Sequence, residues 1–281
     1  MSDLLPKTQE ICRLFEIKPA RTKGQNFLIN EKIYNDIVTA AEIKITDTIL
    51  EVGPGLGFLT AKLAHKAKRV IAVELDDQLA HYLQTGIDSQ AIENVEIINE
   101  DILKFNLGAH IAATENYKIV ANLPYNISSV FLRLFLSGIH RPESLVLMLQ
   151  QEVAKRIIAS APDMSILAVA VQYYAVPEII KIVKSGNFWP EPKVDSALVK
   201  FQLRPKKYLE ERDKLFFRLV KAGFSAKRKM LKNNLASGLK KDPVAINFVL
   251  KKCGINPQAR AEELTLIDWQ KLFAALAPFM L

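Results

Sequence analysis

Short apolar runs recur along the first two thirds of the chain, each closed by polar or turn-forming residues, and apolar positions return at helical spacing between them. Runs of this kind read as strands buried on both faces, and they predict strands at 48–52, 69–74, 95–99, 118–122, 144–150, 178–184 and 197–203. Strand and helix patterns alternate from about 46 to 203, which predicts a mostly parallel, seven-stranded sheet with helices on both faces. The last two runs, at 179–183 and 197–201, have a loop rather than a helix between them, so an antiparallel hairpin at the sheet edge is expected. After Arg204-Pro205-Lys206-Lys207 the pattern turns to helices only, with apolar positions at Leu215, Phe216, Leu219, Val220 and Phe224. The expectation is an α/β domain over 1–204 and a smaller all-helical domain over 205–281. Upstream, 7–15 reads as a short helix and 18–27 as a basic loop able to fold over a ligand.

Two punctuated strand ends carry candidate chemistry. Glu51-Val52-Gly53-Pro54-Gly55-Leu56-Gly57 follows the strand at 48–52 and precedes the helical Phe58-Leu59-Thr60-Ala61-Lys62-Leu63, a nucleotide-site layout. The spacing is G-x-G-x-G, not the G-x-G-x-x-G of a dinucleotide cradle, so a smaller adenosyl ligand at Gly53 and Gly55 fits better. The next strand ends in Glu74, placed to accept from ribose hydroxyls, and the one after it leads to Asp101, able to accept from an adenine amino group. Each acid alone is more often a solvated strand end; three successive strands ending in suitable polar groups is a rarer coincidence. The second punctuated end is Asn122-Leu123-Pro124-Tyr125, after Lys118-Ile119-Val120-Ala121, where a proline stops the strand. Its amide, its free carbonyls and its one ring suit a planar base. The Asn122 oxygen and the Leu123 or Pro124 carbonyl can hold the hydrogens of an exocyclic amino group, with Tyr125 stacked on the base. A lone four-residue match is equally an ordinary turn.

On these residues the chain resembles the KsgA-type ribosomal RNA adenine dimethyltransferases, which use S-adenosylmethionine. The resemblance runs in order through Gly24 to Leu28, Glu51 to Thr60, Asn122 to Ser128, Gln150 to Ala154, Phe188 to Ser196, Lys227-Arg228-Lys229, Asn233-Asn234-Leu235 and Arg260 to Leu264. It implies a Rossmann-like class I methyltransferase fold. It also implies cofactor contacts from Asn26, Leu28, Gly53, Glu74, Asp101 and Asn122, with Asn122 serving both ligands. The substrate it implies is two adjacent adenosines in the hairpin loop near the 3′ end of small-subunit rRNA, within a maturing subunit. Phe188 is a candidate for the second face of the base stack, with a core aromatic as the equal alternative. Lys23 stands where an aromatic or aliphatic residue is common, and 160–167 is shorter than usual and lacks a Tyr-Gly pair. Both departures bear on the entry loop and the substrate-facing details. Rival readings are an antibiotic-resistance methyltransferase acting on large-subunit rRNA and a mainly non-catalytic assembly checkpoint. The long helical C-terminal segment and the Asn-Ile-Ser after Tyr125 favour the small-subunit type.

Composition adds a partner. The chain has 281 residues, is 49% hydrophobic and has a net charge of +8, and 204–242 holds thirteen Lys or Arg against four Asp or Glu. A charge block is often only a solvated face, but beside a proposed base pocket, phosphate backbone is the more economical partner. Lys227, Arg228 and Lys229, with Arg21 and Lys23 upstream, are the candidate RNA contacts. No apolar run approaches membrane-spanning length and the first residues lack a signal-peptide pattern, so a soluble, cytoplasmic monomer is expected. Cys12 and Cys253 lie far apart, and His65, His81, His110 and His140 show no ligand spacing, so no metal is expected.

Overall fold

The computed structural model describes residues 4–19, 25–205 and 210–280. The chain forms two compact units, Met1–Ala154 with Pro177–Leu203, and Lys155–Val176 with Arg204–Leu281.

The first unit is built on the strands β2 (Thr48–Val52), β3 (Arg69–Glu74), β4 (Val95–Asn99), β5 (Tyr117–Asn122), β6 (Ser144–Gln150), β7 (Ala175–Val183) and β9 (Ser196–Leu203), in the order β4-β3-β2-β5-β6-β9-β7. Neighbours from β4 to β6 are parallel, and β9 runs antiparallel to β6. β7 takes the edge beside β9, so the last two predicted strands do lie together there. Every residue of β2 is buried, as a central strand covered on both faces requires. The helices of this unit are α1 (Leu5–Leu14), α2 (Glu31–Ala40), α3 (Phe58–Ala64), α4 (Asp77–Ser89), the single turn α5 (Leu107–His110) and α6 (Ser128–Ser137). Side-chain caps set two of their starts: Asn30 accepts from Lys32 N, and Asp76 accepts from Gln78 N and Leu79 N. Strand order reverses at β2, which has β3 on one side and β5 on the other. In such sheets ligands bind outside the carboxyl ends of the strands flanking the reversal.

A two-residue strand β1 (Phe27–Leu28) pairs antiparallel with β8 (Phe188–Trp189). Part of the expected basic loop is therefore paired backbone. Two residues are too few to leave a periodic signal.

Helix α7 (Gln151–Ile158) straddles the division of the chain. The second unit holds α8 (Ile166–Tyr174), α9 (Glu210–Gly223), α10 (Leu231–Leu239), α11 (Pro243–Lys252) and α12 (Leu266–Leu276). Its core joins Ala168 and Val169 of α8 to Phe216, Leu219 and Val220 of α9, Leu231 and Leu235 of α10, and Trp269 and Leu272 of α12. This corrects the expected division at 204/205: Lys155–Val176 belongs with the C-terminal helices because α8 buries its apolar residues in their core. Gly223 ends α9 where only a hydrogen fits, since a Cβ would lie 2.3 Å from the Trp269 ring.

Candidate active site

The glycine loop and Glu74 form one wall of a cavity at the carboxyl ends of β2, β3 and β5. Gly53 has φ +66° and Gly55 φ +59°, a left-handed backbone that disfavours side chains. A Cβ on Gly55 would also come within 3.3 Å of the Phe27 ring. The Glu74 carboxylate accepts from Gly55 N at 3.1 Å and from Asp76 N at 3.0 Å, tying the glycine loop to the start of α4. Burial pushes Glu74 above the usual carboxyl range, and the N–H groups of Asp76 and Gly55 oppose that rise.

Asn122, Leu123, Pro124 and Tyr125 line the same cavity, as do Asn26, Leu28, Gly53 and Gly55. Asn122 Nδ2 donates to Asn26 O at 3.4 Å, joining the turn to the strap that carries β1 and leaving Oδ1 as the acceptor the side chain offers. Gln25 Nε2 ties the strap to Asp76 Oδ2 at 3.2 Å. The Tyr125 hydroxyl stands 2.7 Å from Ser196 Oγ, at the start of β9. Burial raises the Tyr125 phenol above its ordinary range, with the Ser196 bond opposing, so the ring is neutral at physiological pH.

The structure separates two expected residues from this wall. Phe188 is 2% exposed and packs in the core with Leu28, Tyr34 and Val183, so the core alternative holds and its assignment to the base stack is corrected. Pairing of Leu28 with Phe188 turns the ring inward. Asp101 is not part of the cavity lining, and its Oδ1 accepts from Leu103 N at 3.0 Å within its own turn. Arg21 and Lys23 lie outside the described residues.

Sequence reasoning missed two groups. One is Ser196, whose bond to Tyr125 joins residues 71 positions apart; its only signal was membership of the Phe188 to Ser196 segment. The other is Glu51, which was noted only as the start of the glycine loop. Glu51 is 1% exposed, lines the cavity, and has no hydrogen-bond partner on either carboxyl oxygen. The Thr60 hydroxyl is close but outside bonding geometry, and is itself unpartnered. Desolvation pushes the Glu51 carboxyl up to about 8, with Thr60 pulling it down and Glu74 adding to the rise. A buried carboxyl that makes no hydrogen bond, with no cation beside it among the described residues, suits a ligand that brings positive charge.

In the second unit, Lys227, Arg228 and Lys229 are exposed on the turn between α9 and α10. The turn is well supported: Asn234, 3% exposed on α10, donates from Nδ2 to Gly223 O at 2.7 Å and to Ala226 O at 3.0 Å. Phe224 stacks on Trp269 with ring centres 5.5 Å apart, and Lys229 N donates to Ala226 O.

A parallel sheet with its glycine loop at the reversal of strand order, closed by an antiparallel strand beside β6, is the Rossmann-like fold of the class I methyltransferases. Within that class the chain belongs to the ribosomal RNA adenine dimethylase family, whose model matches residues 18–277. It is 42% identical over 270 residues to ribosomal RNA small subunit methyltransferase A of Dehalococcoides mccartyi (strain CBDB1), covering 96% of this chain and 92% of that one. It is 38% identical over 278 residues to the protein of the same name from Alkaliphilus metalliredigens, covering 96% of each. Among solved structures it is similar to a dimethyladenosine transferase from Plasmodium falciparum, with a TM-score of 0.76, 27% identity, and coverage of 90% of this chain and 98% of that one. It is also similar to the 23S rRNA methyltransferase ErmE, with a TM-score of 0.73, 26% identity, and coverage of 90% and 100%.

Proposed function

We propose that the protein transfers methyl groups from S-adenosylmethionine to N6 of two adjacent adenosines in the hairpin loop near the 3′ end of small-subunit rRNA, within a maturing subunit. The observation that carries this reading is the single cavity where the glycine loop, Glu74 and the Asn122–Tyr125 turn meet. Family membership supports the reaction class. Identity to the small-subunit enzymes at 42% and 38%, against 26% to the large-subunit enzyme, supports the choice of subunit.

The cavity's own groups support this cofactor: the partnerless Glu51 carboxyl suits a cation, and Glu74 suits a diol. Asn26, Leu28, Gly53, Gly55 and Glu74 would hold it, with Asn122 serving both ligands; Asp101, outside the cavity lining and with Oδ1 bonded in its own turn, would offer its second oxygen to the adenine edge. When bound, the cofactor supplies a sulfonium-activated methyl whose thioether leaving group needs no proton. The protein therefore contributes alignment, exclusion of water and acceptors for charge developing on the amino nitrogen. Asn122 Oδ1 and the Leu123 or Pro124 carbonyl would hold the amino hydrogens, and Tyr125, steadied by Ser196, would stack on the base. The target adenine must be unstacked to enter, which favours a loop over continuous duplex. Lys227, Arg228 and Lys229 would grip RNA phosphates.

The test is methylation of undermethylated small subunits with labelled S-adenosylmethionine, followed by mapping of the label. Dimethyladenosine at adjacent positions of the 3′-terminal hairpin loop is the expected result. Label confined to large-subunit rRNA, or no label on either subunit, refutes the proposal.

A further inference from the structure

The Glu51 carboxyl has an unusual electrostatic setting. It lies on β2, a strand buried at every residue, and both of its oxygens lack partners. On the neighbouring elements, α2 presents Tyr34, whose hydroxyl donates to Leu28 O at 2.9 Å and is held protonated by burial. Strand β3 presents Glu74, with Asp76 beyond it, and α3 presents the neutral Thr60. Among the described residues, the cavity lining contains no Lys, Arg or His. Lys7 stands outside it, with its ammonium 5.5 Å from the Phe58 ring centre. Among the described residues, the charged neighbours of Glu51 are thus acids. Ionising a partnerless carboxyl beside other acids costs far more than leaving it protonated.

We propose that Glu51 is the residue by which this cavity selects a cationic ligand. It is a neutral acid while no cation is present, and it gives its proton to solvent as the cation enters, so that binding of the methyl donor releases a proton. The balance is one carboxylic acid and one cationic ligand giving a carboxylate–cation pair and one proton in the buffer. The inference rests on the reading that the cavity takes S-adenosylmethionine, and it adds a charge-based preference to that reading. A ligand with the same adenosyl group but no positive charge has nothing to offer Glu51 in exchange for its proton. Such a ligand should bind without proton release and lose nothing when the acid is replaced by an amide.

Titration calorimetry of the full chain at pH 7, in phosphate and in Tris, reads the number of protons exchanged from the difference in buffer ionisation heat. S-adenosylmethionine should release close to one proton from the wild type. Neutral 5′-methylthioadenosine should release none, and neither ligand should release one from Glu51→Gln. With Glu51 titrating at about 8, wild-type affinity for S-adenosylmethionine should rise about tenfold from pH 6 to pH 7 and level off above pH 8. Infrared difference spectra of the wild type give a second measurement that needs no variant: a protonated-carboxyl band should be lost when S-adenosylmethionine is added. Tight binding with no proton exchanged and no lost band overturns the inference while leaving the cofactor reading intact. So does equal proton release from wild type and Glu51→Gln. If wild type fails to bind S-adenosylmethionine at all, the cofactor reading and this inference fall together.

Discussion

Replacing Glu51 by glutamine should change how the stability of the ligand-free protein depends on pH. The Glu51 carboxyl is pushed from an ordinary 4.5 to about 8 by burial. That gap of about 3.5 units, at about 1.4 kcal/mol per unit, makes ionisation of Glu51 in the fold cost about 5 kcal/mol. Because the folded-state value is raised, the stabilisation from Glu51 is whole below about 4.5 and is lost as pH rises, until ionisation within the fold is complete above about 8. Glutamine has no proton to lose. Its buried amide shifts stability by an amount that does not vary with pH, so the informative quantity is a slope. The stability of Glu51→Gln relative to wild type should climb between pH 5 and pH 8 and flatten by pH 9. Water entering the cleft softens the charge penalty, so the climb should total roughly 2 to 5 kcal/mol. Urea melts of both proteins at unit steps of pH, without ligand, measure it. Parallel stability curves would mean that Glu51 ionises with an ordinary pKa in the fold, and the electrostatic account of the cavity would be wrong.

Tyr125→Phe and Ser196→Ala should each lower turnover through loss of the same 2.7 Å bond, and the double variant should be little worse than either single one; additive losses in a double-mutant cycle would count against a shared role. Glu74→Ala should weaken S-adenosylmethionine binding by about 1 to 3 kcal/mol, since it also frees Gly55 N and Asp76 N from their acceptor; unchanged calorimetric affinity would rule this out. Changing Lys227, Arg228 and Lys229 together to glutamate should abolish subunit binding, leave cofactor affinity intact, and flatten the salt dependence by roughly 0.7 per lost phosphate contact on single-stranded RNA; an unchanged slope would reduce the block to a solvated face. Asn234→Ala removes the donor shared by Gly223 O and Ala226 O, so subunit affinity should fall with all three cations still present, and Asn234→Ser should recover part of it; wild-type affinity in the alanine variant would show that the turn needs no such support.

The sequence by itself determined the sheet and the places where ligand chemistry gathers. Strands buried on both faces must be apolar along their length, so β2, β3, β5, β6 and most of β9 announce themselves as apolar runs, and the half-exposed edge strands β4 and β7 keep enough apolar positions to be read as well; the ends of all seven fall within a few residues of the observed ones. The glycines before α3 and the proline after Asn122 mark backbone that cannot continue a strand, and such marks are local. Tertiary structure decided what depends on the identity of a neighbour. Phe188 is as compatible in sequence with a stacking platform as with a core, and pairing with Leu28 settled it. The residues of α8 read as ordinary helix, and the apolar surface of α9 and α12 drew them into the second core. Tyr125 and Ser196 meet because β9 lies against β6, in a register that sets Ser196 opposite Gln150. Glu51 reads as the polar end of a strand, yet it makes no hydrogen bond, because the Tyr34 hydroxyl is committed to Leu28 O, the Thr60 hydroxyl falls outside bonding geometry, and Glu74 is a second acid. Periodicity records which face of an element is apolar; which groups meet across the interior is set by packing, and so is the electrostatic character of the site.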